Sequence, residues 1–208
     1  MIAALRRAFA EIAAGSGRGL PGREAQYSMA PSHRPGSGQP GNYREAAVLV
    51  LLYPSAGRLL FPLTLRSEGT RSHRGQVSLP GGAREENETL VETAFRETHE
   101  EIGVGAGGIH LLGALSPLDV PPSGFHVQPY VACLDAPPRF VVERGEVAQL
   151  IEAPLSALLE PDAAREERRV LVGQDSRVPY YLFGGHKVWG ATAMILAELR
   201  ELALRSLH

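Results

Sequence analysis

Apolar residues along this chain follow two periods, separated by stretches that follow neither. Ala46 to Tyr53 reads AAVLVLLY, a continuous apolar run suited to a strand buried on both faces. Pro54-Ser55-Ala56-Gly57 supplies a turn, and Leu59 to Leu65 pairs back as a hairpin, with Pro62 arguing for an edge or a bulge. Ile109 to Leu115 and Val127 to Leu134 are also strand-like, and Arg169 to Val172 with Val178 to Phe183 suggests a second hairpin. Glu146 to Leu159 starts as a strand and passes into a helix around Pro154. Helical spacing appears from about Glu88 to Ile102, where Val91, Phe95, Thr98 and Ile102 form a stripe, and again from Trp189 to Leu207. The N-terminal MIAALRRAFAEIAAG predicts a short surface helix ending near Gly15. Residues 15–42 are rich in Gly, Pro and Ser and have no period, which predicts an irregular or mobile arm. The chain thus divides into a helix and Gly/Pro-rich arm over residues 1–42 and an α/β domain over 43–208. Helices before and after a mixed β-sheet imply an α/β/α sandwich.

Composition narrows the function classes. With 208 residues, 44% of them hydrophobic, the chain can bury a substantial core as one domain with an extension. A net charge of −2 leaves no basic face for nucleic acid. No run of apolar residues is long enough to cross a membrane, and Glu11 interrupts the acid-poor character of a transit peptide. The single Cys133 lies in an apolar run, cannot form an internal disulfide, and points to a reducing, cytoplasmic compartment.

The candidate chemistry is concentrated between residues 63 and 104. Residues 82–104 read GAREENETLVETAFRETHEEIGV, with Gly82, Glu88, Arg96, Glu97, Glu100, Glu101 and Gly103 at fixed spacings. At average residue usage such a coincidence is expected about once in 10⁸ to 10⁹ starting positions. On a helix, Glu97, Glu100 and Glu101 are related by i, i+3 and i+4 and form one acidic patch. Anions this close repel one another, and at a helix C-terminus they also oppose the macrodipole. A hard divalent cation, Mg²⁺ or Mn²⁺, offsets both effects. Immediately upstream, residues 63–82 read LTLRSEGTRSHRGQVSLPGG and gather Arg66, Arg71, His73, Arg74 and Gln76. Arg66 and Arg71 are candidates for bidentate binding of a diphosphate. For His73 a structural hydrogen bond and a substrate contact both remain open. Gly103 to Gly108 fits a dinucleotide-binding Gly-x-Gly-x-x-Gly string but follows a helix instead of a strand, so it reads as a flexible turn. His99-Glu100 lacks the second histidine of a zinc-protease motif and His99 is expected to face solvent.

The spacing Gly, five residues, Glu, seven residues, Arg-Glu, an aliphatic position, any residue, Glu-Glu, any residue, Gly, aliphatic resembles the signature of the Nudix hydrolases. Thr98 stands at the aliphatic position. The upstream block resembles the extra signature of the coenzyme A diphosphatase branch, with Leu79 in place of the usual Phe. FHVQPYV, EVAQLIEAPLSALL and HKVWGATAMIL resemble later blocks of that branch, so the likeness covers nearly everything after residue 43. It implies the Nudix α/β/α sandwich and a Glu88–Arg96 pair bracing loop 81–87. It also implies structural roles for Gly82 and Gly103. Mg²⁺ or Mn²⁺ would be held by Glu97, Glu100 and Glu101 with a backbone carbonyl near Gly81, and substrate by Arg66, Arg71, His73 and Gln76. The implied reaction is attack of water on coenzyme A, giving 4′-phosphopantetheine and 3′,5′-ADP. Glu146 is the first candidate for the general base, with Glu101 or Glu97 in its place if Glu146 is only a surface acid. The alternatives are another small nucleotide substrate, such as ADP-ribose or NADH, or a module that binds a nucleotide without cutting it.

Overall fold

The computed structural model describes residues 1–16, 18–33, 43–67 and 75–207. At its centre is β1 (Arg44–Ser55), the strand that carries the long apolar run. Side chains alternate across a strand, so the run divides between two cores. Ala46, Val50 and Leu52 face one core, and Ala47, Leu49, Leu51 and Tyr53 face the other. All of them are buried, as a strand covered on both faces requires.

The chain reaches β1 through α1 (Ile2–Ala13) and α2 (Gly22–Tyr27). Ala56 and Gly57, both at positive φ, turn β1 into β2 (Arg58–Arg66), its antiparallel hairpin partner. β3 (Val77–Ser78) pairs with the end of β2, and β4 (Gly81–Ala83) pairs with the start of β1. α3 (Leu90–Ile102) then crosses one face of the sheet. β5 (His110–Ala114), β6 (Leu118–Val120) and β7 (Phe125–Cys133) follow, and β7 runs parallel to β1 from Arg44 opposite Phe125 to Leu52 opposite Cys133. β8 (Val147–Pro154) pairs with β2 and leads into α4 (Leu155–Leu159). These eight strands form one mixed sheet. β9 (Arg165–Leu171), β10 (Gln174–Phe183) and β11 (His186–Trp189) form a separate antiparallel sheet of three, and α5 (Gly190–Arg205) follows it.

The helices divide as the two cores do. Ala94 and Ile102 of α3 pack with Leu49 and Leu51, whereas α1, α4 and α5 bring Leu5, Leu155 and Leu199 to the opposite core. The architecture is the α/β/α sandwich that the sequence pattern implies. Pro62 is not on an edge strand. β1 pairs with β2 only as far as Leu60 and β3 pairs with it only from Thr64 onward, so the stretch around Pro62 has β8 on one side and no ladder partner among the described strands on the other. A proline needs such a gap, because it has no N–H to donate. The irregularity expected there occurs instead between Leu65 and Arg66.

The N-terminal region is better packed than its sequence suggests. Leu5 and Phe9 of α1 are buried in the core, so α1 is more than a surface helix. The expected irregular arm contains α2 and buries Met29. The cause lies far along the chain, in the fully buried Glu198 of α5. Its carboxylate accepts hydrogen bonds from Gly22 N at 3.1 Å, Gln26 Nε2 at 2.8 Å, Ser116 Oγ at 2.7 Å and Ser116 N at 3.1 Å. Gln26 Nε2 also reaches the Ser116 carbonyl at 2.8 Å. Removing that carboxylate strands several buried donors at once. Glu198→Ala is therefore expected to lower the unfolding free energy by about 3 kcal/mol or more and to expose residues 22–27 to proteolysis. Denaturant unfolding with limited digestion checks this, and an unchanged midpoint would refute the role given to Glu198.

Candidate functional site

The acidic helix is fixed at both ends by local chemistry. Thr89 caps α3 and exchanges hydrogen bonds with Glu92, a capping box. Gly103 ends the helix at φ 74, and a Cβ there would lie 2.7 Å from Val141. Glu88 consequently precedes the helix and acts from the loop. It accepts from Arg96 Nη2 at 3.0 Å and Nε at 3.1 Å, from Glu85 N at 2.7 Å and from Thr93 Oγ1 at 2.8 Å. Arg96 also reaches the Ala83 carbonyl at 3.1 Å, so the pair ties loop, strand and helix together. The Arg96 hydrogen bonds lead a set of contacts that lower the Glu88 carboxyl to about 2.

The buried stripe of α3 differs from the one read off the sequence. Val91 and Phe95 are half-buried, while Thr93, Ala94, Thr98, Glu101 and Ile102 are buried. Thr98 fits the core because its hydroxyl donates to the Ala94 carbonyl at 2.7 Å. The three carboxylates therefore do not share one environment. Glu100 is exposed, Glu97 is half-buried, and Glu101 is only 2% exposed. Arg96 Nη1 bonds both Glu97 at 2.9 Å and Glu100 at 3.0 Å. Arg66, at the end of β2, brings Nη1 to 3.6 Å from Glu101 Oε1. Glu101 Oε2 and Arg66 Nε are buried with no hydrogen-bond partner among the described residues.

Burial raises the Glu101 carboxyl to about 8. Arg66 opposes the shift, and the charges of Glu97 and Glu146 add to it. Burial also raises Glu97. Glu146 is thus within the field of both acids. It is exposed at the turn before β8, where Ser67 N donates to its carbonyl at 2.8 Å and Ser67 Oγ to the Gly145 carbonyl at 2.7 Å. Gly81 and Gly82 carry β4 through the narrow space between β1 and α3. A Cβ on Gly81 would lie 2.3 Å from the Ala47 carbonyl, and one on Gly82 would lie 2.4 Å from the Glu97 carboxyl group.

As these side chains stand, no three His, Cys, Asp or Glu groups among the described residues could hold one metal ion. The single acidic patch of the helical wheel is divided between two arginines. The expected donors nonetheless fit a hard cation: all are oxygens, and Glu101 Oε2 is buried without a hydrogen-bond partner among the described residues.

A cavity of about 440 Å³ adjoins the carboxylates. Arg66, Gln76 and Gly81 line it together with Val48, Val127 and Trp189. Arg66 N donates to the Gln76 carbonyl at 3.0 Å, which brings these two predicted substrate residues together. Arg71 and His73 lie outside the described residues. Trp189 carried no assigned role in the sequence, although its block HKVWGATAMIL was singled out. His33, from the segment before β1, also lines the cavity and had no sequence signal. His99 is exposed, the glycines after α3 form a turn and Cys133 is buried, as the sequence reading expects, while Arg6 Nη2 lies 3.1 Å from the Cys133 sulfur, a contact it did not foresee.

Residues 43–185 match the NUDIX domain. A Nudix hydrolase named NudL from Pectobacterium atrosepticum is 39% identical over 180 residues, covering 84% of this chain and 88% of its own length. NudL of Yersinia enterocolitica is 35% identical over 174 residues, covering 81% and 85%. Among solved structures, the Nudix hydrolase RenU from M. smegmatis has a TM-score of 0.55 at 22% identity, covering 80% of this chain and 89% of that one.

The environment of Glu101 gives a pH-dependent signature. Its folded value of about 8 lies above the ordinary 4.5, so ionisation is harder in the folded state than in the unfolded one. The resulting destabilisation is absent below pH 4.5, grows as pH rises, and is complete above about 8. Metal-free Glu101→Gln is therefore expected to melt several degrees above the wild type at the alkaline end of that window, with the gap closing at the acid end. Thermal melts in chelator across the window test this, and a gap that does not change with pH would overturn the assignment.

Proposed function

The chain belongs to the Nudix hydrolases and hydrolyses pyrophosphate bonds in nucleoside diphosphate derivatives, and from that premise we propose that its substrate is coenzyme A, cut between its two phosphates. The products are 4′-phosphopantetheine and 3′,5′-ADP. The observation that carries this reading is the position of Arg66, which opens the upstream basic block and stands 3.6 Å from the buried Glu101. The same block contributes Gln76 to the adjoining cavity, and its remaining members Arg71 and His73 follow by sequence. Likeness to the NudL proteins over most of the chain supports the same branch.

Glu97, Glu100 and Glu101 would hold a divalent cation, as Nudix hydrolases generally do, and Mg²⁺ or Mn²⁺ suits these oxygens. When bound, the ion supplies neutralising charge for the diphosphate oxygens and lowers the pKa of a coordinated water. The protein does the rest. Arg66 and Arg71 grip the diphosphate through their planar forks, while Gln76 and His73 orient it. Arg96 would keep its bonds to Glu88, leaving Glu97 and Glu100 as residues that would hold the ion. Glu146, exposed beside Glu97 and Glu101, accepts the proton of the attacking water as general base. The water oxygen adds to one phosphorus and the bridging P–O bond breaks. Free, buried Cys133 is consistent with action on a small-molecule pool in the cytoplasm. No described helix is long and apolar enough to cross a membrane.

The test is chromatographic product analysis after incubation with coenzyme A, ADP-ribose or NADH and either metal, with Glu101→Gln as the inactive control. Preferential release of 3′,5′-ADP from coenzyme A is expected. Faster cleavage of ADP-ribose or NADH would overturn the substrate assignment. Glu146→Gln is expected to lower kcat by on the order of 10²-fold with little change in KM. Turnover close to wild type would exclude Glu146 and leave Glu101 or Glu97 as the base.

A further inference from the structure

Glu146 is carried on a turn that the hydrophobic core does not hold. Residues 143–146 lie between β7 and β8 and are all exposed, so packing adds little there and hydrogen bonds have to fix the turn. A general base has to stand within hydrogen-bond reach of the proton it takes, and a displacement of about 1 Å costs on the order of 10²-fold in rate.

Two neighbouring elements supply bonds from outside the turn. The last carbonyls of a helix have no partner within it. In α3 the Glu101 carbonyl accepts from Glu143 N at 3.0 Å, and the Ile102 carbonyl accepts from Val141 N at 3.0 Å. From the end of β2, Ser67 donates through its N–H to the Glu146 carbonyl and through its hydroxyl to the Gly145 carbonyl. The turn is thereby tied to the backbone of Glu101 on one side and to the residue after Arg66 on the other. Inside the turn the bonds converge on Glu143. Its carbonyl accepts from Glu146 N at 3.2 Å and Val147 N at 2.9 Å, and its side-chain Oε1 accepts from Gly145 N at 2.9 Å. Gly145 directly precedes the base and, having no side chain, is the residue of the turn with the most backbone freedom to lose. The Glu143 carboxylate removes that freedom.

Resting on the reading of Glu146 as general base, we propose that Glu143 is its positioning residue. It acts through the hydrogen bond to Gly145 and not through its charge. Its backbone is anchored to Glu101 while its side chain fixes the glycine before Glu146, so the base keeps a set distance from the acids of α3. A base already in place loses no rate to reordering of the turn.

Steady-state kinetics of Glu143→Ala, Glu143→Gln, Glu146→Gln and the double variant Glu143→Ala/Glu146→Gln test this, with whichever nucleotide the wild type cleaves and saturating Mn²⁺. Glu143→Ala is expected to lower kcat by about fivefold or more, with KM and melting temperature unchanged. Glu143→Gln keeps an oxygen acceptor and is expected to restore at least about half of the wild-type kcat. In the Glu146→Gln background, removing Glu143 is expected to change kcat by less than about twofold, because no base remains to be positioned. A Glu143→Ala enzyme at the wild-type kcat beside a slow Glu146→Gln would overturn the inference. So would an undiminished effect of Glu143→Ala in the Glu146→Gln background. Glu143→Gln as slow as Glu143→Ala, with the acid limb of both pH profiles moved downward, would overturn it by showing that the charge is what matters. Glu146→Gln at the wild-type kcat would remove the base reading and this inference with it, a result distinct from the other three.

Discussion

The site depends on one close approach, that of the Gly81-Gly82 backbone to β1 on one side and α3 on the other. A single Cβ at either glycine would fall within 2.4 Å of the Ala47 carbonyl or the Glu97 carboxyl group. Interiors packed this tightly do not absorb such an intrusion, so a side chain there would move the helix. With the glycines in place, α3 lies against β1 and β4 at a depth that buries Glu101 and leaves Glu100 at the surface. The capping box and the Gly103 terminus then hold the helix in register along its length. Arg96 completes the arrangement by joining Glu88, the Ala83 carbonyl and two of the acids.

That depth accounts for the electrostatics. A carboxylate at the surface costs little, and one in the interior costs a great deal unless it is paired. Glu101 is buried with one cation at 3.6 Å and a backbone hydrogen bond from Gly81, against one unpartnered oxygen and two other acids nearby. Its raised pKa is the direct result. Such an arrangement destabilises the fold in the absence of a ligand, which is common where a protein is shaped for chemistry. Arg96 limits the damage by occupying Glu97 and Glu100.

The sequence was most informative where the deciding contacts are local. The acid spacing on α3 could be read directly because a helix places i, i+3 and i+4 on one face whatever surrounds it. Leu49 to Tyr53 was equally legible, since an unbroken apolar run has to be covered on both sides. The unequal burial of Glu97, Glu100 and Glu101 was not, because it is set by Arg66 and Gly81, which reach the helix from other strands. α2 was missed for the same reason: Gly22–Tyr27 has no apolar period and is held by a carboxylate 172 residues from Gln26. A signal did exist in the acid Glu198 within the otherwise apolar Ala-Met-Ile-Leu-Ala-Glu-Leu stretch.

The Glu198 cluster has a consequence for how the molecule can vary. Pro31 and His33 follow the segment that this cluster fastens down, with Ser32 between them bonded to the Arg177 backbone, and they stand in the wall of the cavity next to the acids. The matched NUDIX region begins at residue 43, so part of the wall lies outside it. Substitutions in that N-terminal segment can reshape the pocket while every residue of the acidic helix stays as it is. Two relatives with identical acidic helices can therefore differ in the shape of the adjoining cavity, and a fragment cut to residues 43–185 would keep the acids and lose part of its wall.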